Sequence, residues 1–243
     1  MNIFFWDIDG TLIRTSKAGL FALNKAADDL WGQPVNMDVI EAAGMTDNYI
    51  SRQMLRSLLG REPQQEEIQS LCRHYESLLP GQLATRQGWV LPQVKEILSY
   101  LHAGDDNKLL LLTGNSMEGA EIKLRHFGLD HYFDFSRSAF AASHERRVDI
   151  ARSAFKTVQE HWGDPRQHNL YVLGDTPHDI ECGKAIGAYT VGIATGAYQL
   201  RELQQYEPWW AVESLPQPEQ FIRHIHAAQT NCCFDTQVSS LQQ

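Results

Sequence analysis

Short apolar runs alternate along the chain with longer stretches in which apolar residues recur every three or four positions. The short runs predict strands over Ile3–Ile8, Leu109–Leu112, Leu170–Leu173, Tyr189–Ile193 and Trp209–Val212. They are nearly continuous in apolar residues, which is typical of strands covered on both faces. The longer stretches predict helices over Val94–Leu101, Met117–Phe127, Val148–His161 and Ile180–Ile186. This alternation predicts an α/β fold with a doubly wound, Rossmann-like parallel sheet.

One interval breaks the alternation. Between Arg14 and Thr85 the pattern predicts helices only, over Ala18–Leu30, Asp47–Leu59 and Glu66–Leu79. Pro80 and Gly81 are expected in a turn after the last of them. We therefore predict a helical cap formed by residues 14–85, inserted into a core formed by residues 1–13 and 86–228. Residues 229–243, rich in Gln and Ser, are expected to form a loosely ordered tail.

Composition narrows the possible partners. Among 243 residues, 21 Lys and Arg face 30 Asp and Glu, for a net charge of −9. Proteins that bind nucleic acid by neutralising phosphates carry a basic excess, so nucleic acid is not an expected partner. No apolar run reaches the roughly 18 residues of a membrane span, and no signal-peptide pattern opens the sequence. The four cysteines lack the paired spacing of a zinc site and suit a reducing compartment. We expect a cytoplasmic protein that does not bind membranes, and the sequence predicts no particular oligomeric state.

Polar residues follow three of the predicted strands. The three segments are Asp7-Ile8-Asp9-Gly10-Thr11, Thr113-Gly114-Asn115-Ser116 and Gly174-Asp175-Thr176-Pro177-His178-Asp179. Ligands of doubly wound sheets bind outside the carboxyl ends of the strands, so we expect these segments to meet. Clustered carboxylates repel one another unless a cation lies among them, and oxygen donors favour a hard ion such as Mg²⁺. A hard ion beside a hydroxyl and backbone N–H groups predicts phosphoryl chemistry.

These segments resemble the first, second and fourth motifs of the haloacid dehalogenase-like (HAD) hydrolases. The resemblance extends from Phe4 to about Leu215, and the helical insert resembles the cap of the phosphoglycolate phosphatase-like branch. It implies a Mg²⁺-dependent phosphatase acting on a small phosphorylated metabolite, with phosphoglycolate as a candidate substrate.

The resemblance also implies residue roles. Asp7 would attack phosphorus and form an aspartyl-phosphate, while Asp9 would protonate the leaving oxygen and later activate water. Thr113 and the N–H groups of Gly114 and Asn115 would bind the phosphoryl oxygens. The implied metal ligands are the Asp7 carboxylate, the Asp9 backbone carbonyl and Asp175, with Asp179 supporting them from near the ion.

The third motif departs from the family pattern. A Lys usually stands there, whereas this sequence has Arg146 and Arg147 at the start of a predicted helix. The spacing to Ile150 favours Arg147 as the replacement. In the cap, Gly44-Met45-Thr46-Asp47 resembles the substrate-facing loop of the branch, so Thr46 is a candidate substrate contact. The alternative is that Thr46 caps a helix and Asp47 lies in its first turn.

Other functions compete with the phosphatase. A phosphomutase would use Asp7 and Asp9 in the same way. A catalytically weak HAD scaffold that only binds a ligand is favoured by the missing Lys alone. A dehalogenase would leave Asp9 and the acidic fourth motif unexplained. A phosphorylatable receiver domain would be about half as long and would lack a cap.

Overall fold

A computed structural model describes residues 1–36, 40–141 and 146–227. The strands are β1 Asn2–Trp6, β2 Ile13–Arg14, β3 Trp89–Val90, β4 Asn107–Leu111, β5 Asn169–Gly174, β6 Tyr189–Ile193 and β7 Trp210–Val212. The helices are α1 Ala18–Trp31, α2 Asp47–Leu59, α3 Gln65–Thr85, α4 Val94–His102, α5 Met117–Phe127, α6 Arg147–Trp162, α7 Pro177–Ala185, α8 Leu200–Gln204 and α9 218–227. The tail predicted for 229–243 lies outside the described residues.

Five of these strands form a parallel sheet in the order β4-β1-β5-β6-β7. Alternate residues of the central strands are buried on opposite sides, because helices cover both faces of the sheet. In β1, Phe4 and Trp6 pack in one hydrophobic cluster, while Ile3 and Phe5 pack in another. The predicted doubly wound α/β fold is therefore confirmed.

The helices α1, α2 and α3 pack around a hydrophobic cluster of their own, which includes Leu23, Met54 and Leu71. We call residues 18–85, which contain these helices, the helical insert. A short antiparallel ribbon, β2 with β3, lies where the chain leaves and re-enters the core, and the apolar pattern gave no sign of it. None of the described helices combines the length and apolar character needed to cross a bilayer.

The turn expected at Pro80 and Gly81 is wrong, because both residues lie inside α3. Proline lacks an N–H donor and crowds the preceding turn, so it usually ends a helix. Here Leu79 and Leu83, on either side of it, are both buried in the cluster of the insert, whereas Pro80 faces solvent. The burial of these leucines stabilises a continuous helix despite the missing hydrogen bond.

Candidate active site

Strand register brings the three polar segments together. The last residue of β1, Trp6, pairs with Leu111 of β4 on one side and with Leu173 of β5 on the other. The backbone N–H of Asp7 donates to the carbonyl of Leu173 at 2.9 Å, which continues this alignment by one residue. All three strands therefore end at one level, and the residues that follow them are neighbours.

Three buried carboxylates meet at this edge. Asp7, Asp175 and Asp179 each offer one oxygen, and these oxygens all lie within 4.8 Å of one another. A compact set of buried oxygen donors with negative charge fits a hard divalent cation. The side chain of Asp9 is not part of this set. Its predicted metal contact is through the backbone carbonyl and stays a prediction.

Asp175 is held closely by its surroundings. The hydroxyl of Thr11 donates to its Oδ1 at 3.1 Å. Gly10, with a φ of +89°, and Gly196 both approach its carboxylate so closely that a Cβ at either position would overlap Oδ2. Glycine at these two positions leaves the space that Asp175 occupies.

Asp179 uses both of its oxygens. Oδ2 accepts hydrogen bonds from the backbone N–H and hydroxyl of Thr176, at 3.0 and 2.7 Å, which forms a capping box at the start of α7. Oδ1 accepts from the guanidinium of Arg147. Asp179 thus joins the polar segment after β5 to α6.

Arg147, and not Arg146, reaches the carboxylates. Its side chain is 6% exposed and donates to Oδ1 of Asp7, whereas the Arg146 side chain is 74% exposed, with Asp149 at 3.9 Å. As the first residue of α6, Arg147 follows the segment in which residues 142–145 lie outside the described residues. The geometry therefore places at the site the arginine that spacing favoured.

Burial and charge shift the pKa values of this cluster. Burial raises the pKa of Asp7 to about 7 despite the opposing effect of Arg147, and the charges of Asp179 and Asp9 add to the rise. Burial also raises the pKa of Asp175 well above its ordinary value, with repulsion from Asp7 as the next cause. A cation bound among these groups would favour their ionised forms.

Asp9 belongs to a different network, which sequence reasoning missed. Its Oδ2 accepts from Lys123 Nζ at 2.5 Å and from Asn115 Nδ2 at 3.0 Å. Burial opposes the charge of Lys123, but Asp9 and Asp47 more than offset this effect, so the pKa of Lys123 lies above its ordinary value. The sequence did carry one signal for this residue, its position in the helical pattern. Lys123 lies on the same buried face of α5 as Ala120 and Leu124, where an apolar residue is expected.

The segment after β4 is internally bonded. Thr113 Oγ1 accepts from the side-chain amide of Asn115 at 2.8 Å and from its backbone N–H at 3.3 Å. The Asn115 N–H therefore already has a partner within the segment. Gly114 lies between Met45 and Arg147, and a Cβ there would overlap the Met45 carbonyl oxygen. The phosphoryl-binding roles of Thr113, Gly114 and Asn115 stay predictions.

The helical insert docks on this segment through the start of α2. The alternative interpretation of Thr46, as the N-cap of a helix, is confirmed, because its Oγ1 accepts from the backbone N–H of Tyr49 at 3.1 Å. Asp47 donates its N–H to the carbonyl of Gly114 at 2.8 Å, and its Oδ2 accepts from the N–H of Ser116 at 2.8 Å. Burial raises the pKa of Asp47 to about 6. Thr46 is fully buried, and its predicted substrate contact stays a prediction.

A cavity of about 480 Å³ lies between the insert and the strand ends. Its floor includes Asp7, Asp9, Asn115, Arg147 and Asp175. Apolar residues of the insert that line it are Leu20, Leu23, Ala42, Ala43, Met45, Ile50 and Tyr75. The cavity has the size of a typical small-molecule site, and its lining combines charged groups with apolar side chains.

Comparison with known proteins identifies the family. Residues 4–193 match the family model described as haloacid dehalogenase-like hydrolase. The chain belongs to the haloacid dehalogenase-like hydrolases.

Individual proteins match this chain over most of its length. A probable phosphatase, IndB, from Dickeya dadantii is 24% identical over 87% of this chain and 89% of its own. The pyrophosphatase PpaX of Halalkalibacterium halodurans is also 24% identical, over 89% and 94%. The crystal structure of a predicted phosphoglycolate phosphatase from Haemophilus somnus has the same fold, with a TM-score of 0.62, 20% identity and coverage of 88% and 93%.

Proposed function

We propose that this HAD hydrolase is a Mg²⁺-dependent phosphatase that works through an aspartyl-phosphate on Asp7. The observation that carries the proposal is the buried cluster of Asp7, Asp175 and Asp179, which opens on the cavity beside Arg147. The names of the two relatives, a probable phosphatase and a pyrophosphatase, support phosphoryl chemistry.

Asp7, Asp175 and the backbone carbonyl of Asp9 would hold Mg²⁺, with Asp179 supporting them. When bound, the ion offsets the negative charge of the carboxylates and of the phosphoryl group. Arg147 orients Oδ1 of Asp7 through two donors and supplies a second positive charge. A carboxylate oxygen of Asp7 attacks phosphorus, the bond to the leaving oxygen breaks, and Asp9 donates its proton to that oxygen. Asp9 then takes a proton from the water that hydrolyses the acyl phosphate.

The wall of the cavity indicates the leaving group. Side chains such as Leu20, Leu23 and Ile50 give the insert end of the cavity an apolar surface. A phosphomutase would need cations at that end for a second phosphoryl group. Within residues 18–85, none of the described residues that line the cavity is basic. Arg14 and Lys17, which precede the insert, also line the cavity, but both are exposed, and Arg14 donates to the carbonyl of Thr195. The geometry therefore favours hydrolysis of a monoester whose alcohol is larger than glycolate and partly apolar.

The decisive experiment measures release of inorganic phosphate from an aryl phosphate with and without Mg²⁺. We expect turnover with Mg²⁺, its loss in EDTA and its recovery when Mg²⁺ is restored. Asp7→Asn should abolish turnover, and Asp9→Asn should slow it by at least about a hundredfold, the low end for loss of a general acid or base, because the variant also lacks the base that activates water against the acyl phosphate. A folded wild-type protein without Mg²⁺-dependent turnover would support the binding scaffold instead.

A further inference from the structure

Lys123 is a buried cation outside the four motifs that identify the family. Its side chain is 5% exposed, and Nζ donates to Asp9 Oδ2 at 2.5 Å and to Asn115 Oδ1 at 2.6 Å. Burying an ammonium group carries a large solvation cost, so an apolar side chain is the usual occupant of such a position. The neighbours Ala120 and Leu124 on the same helix face are apolar.

The contacts of Asp9 are all on one of its oxygens. Oδ2 accepts from both Lys123 and Asn115, and within the described chain no donor binds Oδ1. The Asp9 side chain is 40% exposed and lines the cavity, so its position is not fixed by packing alone. Asn115 is itself tied to Thr113 Oγ1 at 2.8 Å. The network thus fixes Oδ2 and leaves Oδ1 for a ligand.

The helical insert covers the ammonium group. A Cβ placed on Gly19 of α1 would lie 3.7 Å from both Lys123 Nζ and the Tyr75 hydroxyl, so these groups converge from core and insert. The carboxylate of Asp47, at the start of α2, adds negative charge near the same ammonium. The ammonium of Lys123 is therefore shielded from water, whereas the Asp9 carboxylate that it binds is open to the cavity.

We propose that Lys123 is a positioning residue for Asp9, an inference that rests on the proposed phosphatase function. Two donors on Oδ2 require that oxygen to act as an acceptor, so the transferable proton of the carboxylic acid sits on Oδ1, facing the cavity. When the bond from phosphorus to the leaving oxygen breaks, this proton passes from Oδ1 to that oxygen. Lys123 keeps all its protons throughout.

The test compares two esters that need the proton to different degrees. An alkyl phosphate has a poor leaving group and depends on proton donation, whereas 4-nitrophenyl phosphate has a good leaving group and depends on it weakly. In Lys123→Met we expect kcat/KM, which reports the steps up to departure of the alcohol and leaves out the later hydrolysis of the acyl phosphate, to fall at least about tenfold more for the alkyl ester than for the aryl ester. In Lys123→Gln, which keeps one donor, the loss should be smaller. The matched control is Arg125→Met, which removes an exposed cation from the same helix. This variant should leave the activity towards both esters unchanged.

The double variant Asp9→Asn/Lys123→Met gives a second readout. If Lys123 acts through Asp9, adding Lys123→Met to Asp9→Asn should cause little further loss with the alkyl ester. Equal losses with both esters, or additive losses in the double variant, would assign Lys123 a structural role and overturn the proposal while leaving the phosphatase function intact. A wild-type protein that hydrolyses neither ester would contradict both the proposed phosphatase function and the positioning role of Lys123.

Discussion

Both terminal nitrogens of the Arg147 guanidinium lie 3.2 Å from Oδ1 of Asp7, a residue 140 positions away in sequence. The same guanidinium also donates to Asp179. All three side chains are buried, so the arginine offsets repulsion between two carboxylates that water cannot screen. The electrostatic balance at Asp7 and Asp179 therefore depends on this arginine as well as on any bound metal.

Arg147→Ala should therefore damage both stability and activity. Removing one partner of a buried ion pair generally costs about 3–5 kcal/mol, and protonation of Asp7 should keep the loss near the lower end. We expect kcat/KM to fall because the phosphoryl group also loses a positive charge. Urea unfolding and steady-state kinetics measure the two effects.

Arg146→Ala is the matched control for that substitution. The side chain is exposed, and surface ion pairs are typically worth about 0–1 kcal/mol, so stability and kinetics should stay close to wild type. Arg147→Lys, which restores the residue type usual in the family, should recover part of the activity. Equal effects of the two alanine substitutions would show that the third motif has been assigned to the wrong arginine.

Stabilisation by Mg²⁺ should depend on pH. The pKa of Asp7 is about 7 in the folded chain and near 3.8 when unfolded, so the folded state keeps a proton that the unfolded state has released. The stability from this proton is complete below about pH 4 and is lost as pH rises through about 7. At pH 8 the ionised cluster is destabilising, and Mg²⁺ no longer competes with a proton.

Thermal unfolding with Mg²⁺ and with EDTA, at pH 5.5 and pH 8, measures this coupling. Saturation at a hundred times Kd gives about 2.7 kcal/mol, which corresponds to a Tm increase of about 5–10 °C at pH 8. The increase should be clearly smaller at pH 5.5. In Asp7→Asn the difference between the two pH values should shrink. A Tm increase of the same size at both pH values in the wild type would contradict the assignment of Asp7 as a ligand.

Gly10→Ala should weaken metal binding more than it weakens the fold. Its Cβ would overlap the carboxylate of Asp175, which must then move. Gly187→Ala is the matched control, because Gly187 also has a positive φ, +69°, but a Cβ there meets nothing within 4 Å. Both variants incur left-handed backbone strain of about 1–2 kcal/mol. We expect the Mg²⁺ concentration for half-maximal activity to rise at least about tenfold in Gly10→Ala alone, and a similar rise in both variants would argue against a role for Asp175.

A panel of phosphate esters should separate possible leaving groups. The apolar wall formed by residues such as Leu23 and Ile50 predicts a lower KM for esters of aromatic or branched alcohols than for phosphoglycolate. Ile50→Asn should raise KM for the apolar esters and leave KM for phosphoglycolate nearly unchanged. A preference for phosphoglycolate, or for a sugar phosphate that is isomerised without release of phosphate, would replace the substrate class proposed above.

Several features of this protein follow from local sequence. The apolar runs before Asp7, Thr113 and Asp175 are buried on both faces, which makes them parallel strands, and parallel strands end at a common edge. Periodicity placed α2 and α5 at their observed bounds, and Thr46 is a helix cap by residue type. The sequence alone therefore predicts that the three polar segments meet.

Other features depend on contacts between distant parts of the chain. Pro80 lies within a helix because Leu79 and Leu83 are buried against the other helices of the insert. Lys123 reaches Asp9 only because α5 packs beside β1 and beneath the insert, and a single lysine in an amphipathic pattern does not reveal its partner.

The sequence alone determined the sheet, the order of its motifs and the carboxylates at its edge, because each is encoded by neighbouring residues and by the geometry of one strand. Only the tertiary structure decided which cation accompanies each carboxylate, Arg147 with Asp7 and Lys123 with Asp9. The physical reason is that the stability of a buried charge depends on distances of a few ångströms between side chains more than a hundred residues apart, and these distances are fixed by packing.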